Sequence, residues 1–407
     1  MSKRALLWIA FAAVHLGVAW LGFVMPNEPM GDVYRVYEPW SMQALGGGGI
    51  VGIDEAWVYP QWALVPMILA HAFVPIVGSY TVAWVVFVTL VDAWAFAVLI
   101  GRAHAAGRVV AGWYWLAFIA ALGPVGLYRL DGLTAALAIP ACLWLVRRPW
   151  LGATLLAVAT WIKVWPAAII AAAVIAVRSR WAVVGAGLVV SGMTLVVIAA
   201  AGGAENAFGF IGDQTTRGLQ VEAPVAAPYL WGALLGLDGF SVYYSFDLLT
   251  FQVTGTQIDP VIAAMTPLLL GAILAIALLG AVQARRGATF LALFPALSLA
   301  LVTAFIVFNK VGSPQYLSWL VPSLVIGLVI DRGAWVAPAT LAIGAALLTQ
   351  LVYPVMYHDI LVPAPLAVSL LTVRNAALIA LLVWMVVRLL RVRPPLHTTL
   401  APRASAR

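Results

Sequence analysis

The chain has 407 residues, 64% of them hydrophobic, with a mean hydropathy of +1.03. Only 9% are charged, 22 Lys and Arg against 15 Asp and Glu, for a net charge of +7. A soluble domain carries about 25% charge, and disorder needs low hydrophobicity with high charge, so both classes are excluded.

A bilayer is the solvent that suits such a chain. Its apolar runs are continuous and lack a strand-like alternation, which selects helices over an outer-membrane barrel. The single cysteine, Cys142, excludes an intramolecular disulfide and a cysteine-based metal site. The expected fold is an all-α polytopic membrane protein, residues 1–407 forming one integral membrane domain.

A span takes about 20 apolar residues. In chain order the sequence predicts twelve, at roughly 5–24, 79–101, 109–123, 133–146, 150–162, 164–177, 181–201, 261–282, 287–307, 315–330, 334–352 and 369–390. The first follows MSKR and resembles a signal sequence. No small-residue cleavage site closes it, so a retained first helix is expected. Residues 61–77 are apolar but short and bracketed by prolines, and are read as an interfacial helix.

Charge placement supports this parity. With the N-terminus cytoplasmic, 16 of the 22 basic residues fall inside, as the positive-inside rule requires. The other six are Arg35, Arg129, Lys163, Arg217, Lys310 and Arg374. Asp331 is inside, Asp92 lies within a span, and the remaining acids fall outside. Both termini are then cytoplasmic, and residues 391–407 form a basic tail at the inner face. Two long outer segments, 25–78 and 202–260, contrast with short inner loops, so the work is expected at the outer face. There is no Walker A motif, dinucleotide fingerprint or internal repeat.

The first outer segment opens with Met30-Gly31-Asp32-Val33-Tyr34-Arg35-Val36-Tyr37-Glu38-Pro39-Trp40. A carboxyl just beyond a span is partly desolvated, which moves it toward the range of a general base. Tyr34, Tyr37, Trp40, Trp57 and Tyr59 offer aromatic faces for sugar rings, or form an ordinary interfacial belt. In Leu127-Tyr128-Arg129-Leu130-Asp131-Gly132, Arg129 and Asp131 are expected to pair with each other or to contact sugar. Thr160-Trp161-Ile162-Lys163-Val164-Trp165-Pro166 places a lysine between two tryptophans. It either snorkels or receives an anion. Phe308-Asn309-Lys310-Val311-Gly312-Ser313-Pro314-Gln315-Tyr316 adds a second lysine beside amide and hydroxyl donors. His358, in Tyr357-His358-Asp359, is a solvated loop histidine or a carboxylate partner. Arg374 near the outer end of the last span is costly without a partner. If Lys163, Lys310 and Arg374 converge they form a phosphate site; if each pairs with its own acid they are scaffold. Asp92 reads as a hydrogen-bonded intramembrane group and Asp331 as half of an Asp–Arg surface pair. No carboxylate pair or two-histidine spacing suits a metal.

The motifs GDVYRVYEPW, LYRLDG, TWIKVWP and FNKVGSPQYLSW, in this order and on one side, resemble the GT-C class of polyprenyl-phosphate-sugar-dependent glycosyltransferases. Over nearly the full length the chain is similar to actinobacterial mannosyltransferases of the PimE type. That resemblance implies transfer of mannose from polyprenyl-phosphate mannose to a phosphatidylinositol mannoside. The linkage would be α-1,2, adding the fifth mannose at the periplasmic face of the plasma membrane. It places the catalytic base on Asp32. Chemistry then suggests His358 as an assistant and Lys163, Lys310, Arg374, Gln315 and Tyr316 as donor-phosphate contacts. Tyr34, Arg35, Tyr37, Trp40, Tyr59, Arg129 and Asp131 are candidate acceptor contacts. No cofactor is implied, and the reaction is expected to be metal-independent. The alternatives are a twelve-helix secondary transporter or a lipid-linked sugar flippase.

Overall fold

The computed structural model describes residues 1–215, 217–246 and 250–392. Most of the predicted tail lies outside the described residues.

Every apolar stretch named above is helical. The principal helices are α1 (Lys3–Val24), α2 (Tyr80–Ile100), α3 (Ala106–Leu122), α4 (Leu130–Trp144), α5 (Pro149–Ile162), α6 (Pro166–Ala176), α7 (Arg180–Ala200), α8 (Ile258–Arg285), α9 (Phe290–Val307), α10 (Leu320–Gln350) and α11 (Pro365–Leu390). Seven are long and apolar enough to cross a membrane: α1, α2, α7, α8, α9, α10 with its flanking turns, and α11. The others, α3 to α6, run 11 to 17 residues. The protein is thus a polytopic helical membrane protein.

Local chemistry sets the boundaries. Ser2, Ser79 and Thr289 accept from the backbone N–H groups of Ala5, Val82 and Ala292, covering helix-start donors that have no intrahelical partner. Pro149, Pro166 and Pro365 start α5, α6 and α11, where a missing N–H costs nothing. Gly123, with φ +69, ends α3 and turns the chain into the short helix Pro124–Tyr128. Only a residue without a Cβ adopts that conformation readily.

Among these helices α9 is deeply enclosed, 78% of its apolar window buried against 11% for α8. It packs against α6, α8, α10 and α11. Small residues let helices meet closely. A Cβ on Gly107 of α3 would lie 2.6 Å from the Val329 carbonyl of α10, and one on Gly152 of α5 would lie 2.6 Å from the Ala141 carbonyl of α4.

Two expectations are corrected. The fold is not wholly α. Residues 241–254 include an antiparallel hairpin of β1 (Ser241–Ser245) and β2 (Thr250–Thr254), whose Val, Tyr, Phe and Thr content favours strand. The segment 61–77 is not one helix but a broken run, with 3₁₀ turns at Gln61–Ala63 and His71–Phe73 around Leu64–Ala70. The predicted break between 315–330 and 334–352 is present: α10 is two helical segments parted at Asp331, whose backbone is non-helical (φ −146, ψ 84). A Cβ on Gly327 would lie 2.2 Å from the Trp335 ring, so the chain folds back there. Asp331 forms a cap there: its Oδ1 accepts from the Ala334 N–H at 3.2 Å.

Candidate functional site

Four connections meet at one end of the bundle. They leave α1, lead into α4, join α5 to α6, and join α9 to α10. Between them lies a cavity of about 510 Å³. Asp32 starts the π-helical turn Val33–Tyr37 that follows α1. Arg129 is the extended residue before α4. Lys163 ends α5 in extended conformation, three residues before Pro166 restarts the chain as α6. Lys310 precedes the 3₁₀ run Pro314–Trp319, which carries Gln315 and Tyr316.

All of these residues line the cavity, with Tyr59. So do Arg217 and Gln220 from the long segment before the hairpin, and Asn309. Among the described residues the cations on the wall are Arg129, Lys163, Arg217 and Lys310, and the carboxylate is Asp32.

The ion pairs are crossed relative to the sequence expectation. Arg129 does not pair with Asp131, its neighbour but one in the chain. Arg129 Nη1 contacts Asp32 Oδ2, and Asp131 Oδ2 lies 3.5 Å from Lys163 Nζ. The cause is helical geometry. Arg129 is extended ahead of α4 while Asp131 sits inside its first turn, so the two side chains diverge. Asp131 is 1% exposed, and its Oδ1 accepts from Trp319 Nε1 at 2.7 Å. Lys163 also lies over the Tyr59 ring, 4.3 Å from its centroid. A cation on an aromatic face is favourable when desolvated.

Burial pulls the Lys163 ammonium below its ordinary pKa; Asp131 opposes this, while Arg129 and Arg217 add to it. Lys310 is lowered by burial and then by Arg217. Arg217 thus acts on both lysines. An anion among them relieves that repulsion and replaces the lost hydration.

Part of the wall is largely apolar. Phe305 and Phe308 come from the end of α9, and Met265, Thr266 and Leu269 from α8. Thr266 of α8 is exposed and lines the cavity. The cavity therefore reaches the bundle surface beside its most exposed long apolar helix.

The remaining site candidates lie elsewhere. Arg374 is 1% exposed and does not line the cavity. Its Nη2 donates to the Glu222 carbonyl at 3.1 Å and lies 3.7 Å from Glu222 Oε2. It therefore takes the scaffold alternative, with an acid 152 residues away in sequence. His358 is exposed on the turn Tyr357–Leu361 and is not a cavity residue. The group that orients Asp32 is Arg129 instead. Tyr34 and Arg35 face outward, Arg35 pairing with Glu28 at 2.6 Å. Tyr37 is 1% exposed and packs on Trp84. Trp40 packs edge-on against Trp57 and Tyr59. Of the predicted acceptor contacts, only Tyr59 and Arg129 line the cavity.

Asp92 finds a partner too, accepting from or donating to His15 Nε2 at 3.2 Å inside the bundle. The void beside it measures about 10 Å³, room for about one water. Among the described residues no group of three or more His, Cys, Asp or Glu side chains gathers as metal ligands.

Arg217, Gln220 and Asn309 were not singled out as site residues by the sequence. Arg217 carried one signal, as one of six outer cations. Asn309 carried one as an amide donor in the motif around Lys310, and Gln220 carried none. A scan against family models finds no match, and neither does a search of curated proteins or of solved structures.

Proposed function

We propose that the chain is a GT-C-type glycosyltransferase of the periplasmic face. It would use a lipid-linked sugar phosphate as donor, with Asp32 as general base. One observation carries this reading: a single carboxylate, paired with Arg129, lines with three further cations a cavity beside an exposed apolar helix. The cations suit a phosphate, the opening suits its lipid tail, and the carboxylate suits an acceptor hydroxyl. The motif resemblance adds the identity of the substrates, polyprenyl-phosphate mannose and a phosphatidylinositol mannoside, and the α-1,2 linkage. The twelve-span topology with both termini inside belongs to the same proposal.

The reaction is a single inverting displacement. The acceptor hydroxyl gives its proton to Asp32 and its oxygen bonds to the anomeric carbon. The bond from that carbon to the phosphate oxygen breaks, and the electron pair leaves with the lipid phosphate. Asp32 Oδ2 faces Arg129, so Oδ1 takes the proton. Such deprotonation contributes about 10²–10⁴-fold. Lys163, Lys310 and Arg217 stabilise the departing charge from fixed positions in a site that excludes most water. Gln315 and Tyr316 supply neutral donors, and Tyr59 a face for the sugar.

The test is a transfer assay with purified protein, labelled polyprenyl-phosphate mannose and the glycolipid acceptor, with the product linkage determined. Transfer of one mannose in α-1,2 linkage supports the reading; its absence with this pair removes the substrate assignment. Transfer of another polyprenyl-linked sugar would retain the mechanism and change its donor.

A further inference from the structure

Part of the cavity wall comes from the long segment between α7 and α8. Residues 217–223 run across it as a strap, presenting Arg217 and Gln220 to the interior. The strap is fastened along three sides. On the first, β2 acts as a ladder: Val221 N–H donates to the Phe251 carbonyl at 3.1 Å, and Val253 N–H to the Leu219 carbonyl at 3.0 Å. On the second, the Gln220 N–H donates to the backbone carbonyl of Lys310 at 3.0 Å. There a Cβ on Gly312 would lie 2.2 Å from the Ala223 nitrogen, so strap and lysine loop touch backbone to backbone. On the third, Arg374 of α11 holds Glu222 through both its carbonyl and its carboxylate.

The third fastening is costly. Arg374 and Glu222 are 1% and 3% exposed, and a buried ion pair is rarely more stable than apolar side chains of the same size. Its geometry is also incomplete. Arg374 Nε and Glu222 Oε2 have no hydrogen-bond partner. A pair of this kind specifies position better than it stabilises.

We propose that the Glu222–Arg374 pair is a positioning device that locks the 217–223 strap against α11 and so sets Arg217 and the Lys310 loop around the bound phosphate. This rests on the reading that the cavity seats a phosphate. Arg374 then acts on the anion without touching it. Disconnecting the pair loosens the phosphate seat; because Glu222 also acts on Arg129, the partner of Asp32, a variant that keeps both charges isolates the positioning effect.

The probe is decyl phosphate, titrated into detergent-solubilised full-length protein and followed by tryptophan fluorescence, since Trp165 and Trp319 line the cavity. In the double variant Glu222→Leu with Arg374→Met neither charge is left buried alone. The expected result is a folded protein by thermal melting whose decyl phosphate affinity falls about tenfold, with Lys163→Ala as the positive control for loss. Gly312→Ala, which pushes the strap off the Lys310 loop with both charges kept, is expected to produce the same loss and covers the case in which the double variant does not fold. Either folded variant binding like wild type overturns the proposal. Failure of the wild-type protein to bind any alkyl phosphate overturns the phosphate reading itself, and the positioning role with it. In transfer assays the donor KM is expected to rise while the acceptor KM stays within twofold; a parallel loss of folded protein and activity with both KM values unchanged would mean a structural role only.

Discussion

Asp131 accepts a hydrogen bond from Trp319 Nε1 at 2.7 Å through the oxygen that does not face Lys163. The indole thereby fixes the carboxylate, and the carboxylate fixes the lysine at the cavity wall. Trp319 is held in turn by parallel stacking with Trp165, at 5.8 Å between centroids, and with Tyr316 at 4.1 Å. Removing the acid and removing its charge are therefore different experiments. Asp131→Ala leaves Lys163 without its carboxylate and Trp319 without its acceptor, and is expected to cost about 3–5 kcal/mol of stability. Asp131→Asn keeps an acceptor for the indole. It is expected to melt closer to wild type and to raise the donor KM, because Lys163 loses its anchor. Equal melting of the two variants would argue against this division of labour.

Asp32→Asn tests the base. The amide still reaches Arg129 through its oxygen but takes no proton at neutral pH. Turnover is expected to fall by about 10²–10⁴-fold, with both KM values within a few-fold of wild type. Retained turnover removes Asp32 from the mechanism. Activity is expected to persist in excess chelator, and complete loss there would refute a metal-independent reaction.

The sequence exposed the helices and several site residues because both follow from local rules. Spans are written as apolar length, and charges that break the positive-inside rule stand out where they lie. That is how Lys163 and Lys310 emerged before any geometry, while Asp32 came from its place just beyond the first span and from the motif resemblance. Pairing is not local. Arg129 and Asp131 looked like partners because they are two apart, yet the start of α4 sends them to Asp32 and Lys163. Arg374 looked like a free cation because its acid, Glu222, is 152 residues away. Arg217 and Gln220 enter the cavity only because the hairpin folds the strap over it, and VYYS–TFQV pairing has too short a pattern to be read with confidence against so helical a background. The hairpin register, Ser241 opposite Thr254, is where local reading ran out.

Glu222 gives a pH dependence with a definite sign. Burial raises its carboxyl from 4.5 to about 7, with Arg374 and Arg129 pulling the other way. Between about 4.5 and 7 the folded protein holds a proton that the unfolded chain has lost. Stability from this group is therefore fully present below 4.5 and declines as pH rises through 7. Thermal melting of wild type minus that of Glu222→Gln, which does not titrate, is expected to fall across that window and to be flat above it. A flat difference would place Glu222 in a well-solvated or fully compensated setting, and one that rises with pH would mean that Arg374 and Arg129 outweigh burial.

The opening beside α8 makes the last prediction. Thr266 is exposed and lines the cavity, and it has Met265 and Leu269 as cavity neighbours on the same helix. A lipid tail leaving the phosphate seat by this route passes Thr266, so Thr266→Trp narrows the exit without touching a charged residue. Pro267 already lies within α8 one residue later, and Thr266 is exposed, so a larger side chain is tolerated without overpacking a core. Long-chain polyprenyl-phosphate mannose is expected to be used at least tenfold less efficiently by the variant. A short-chain analogue, whose tail ends before the constriction, is expected to be used as well as by wild type. Equal loss with both donors would mean that the tryptophan disturbs the phosphate seat. Equal retention would mean that the tail leaves by another route.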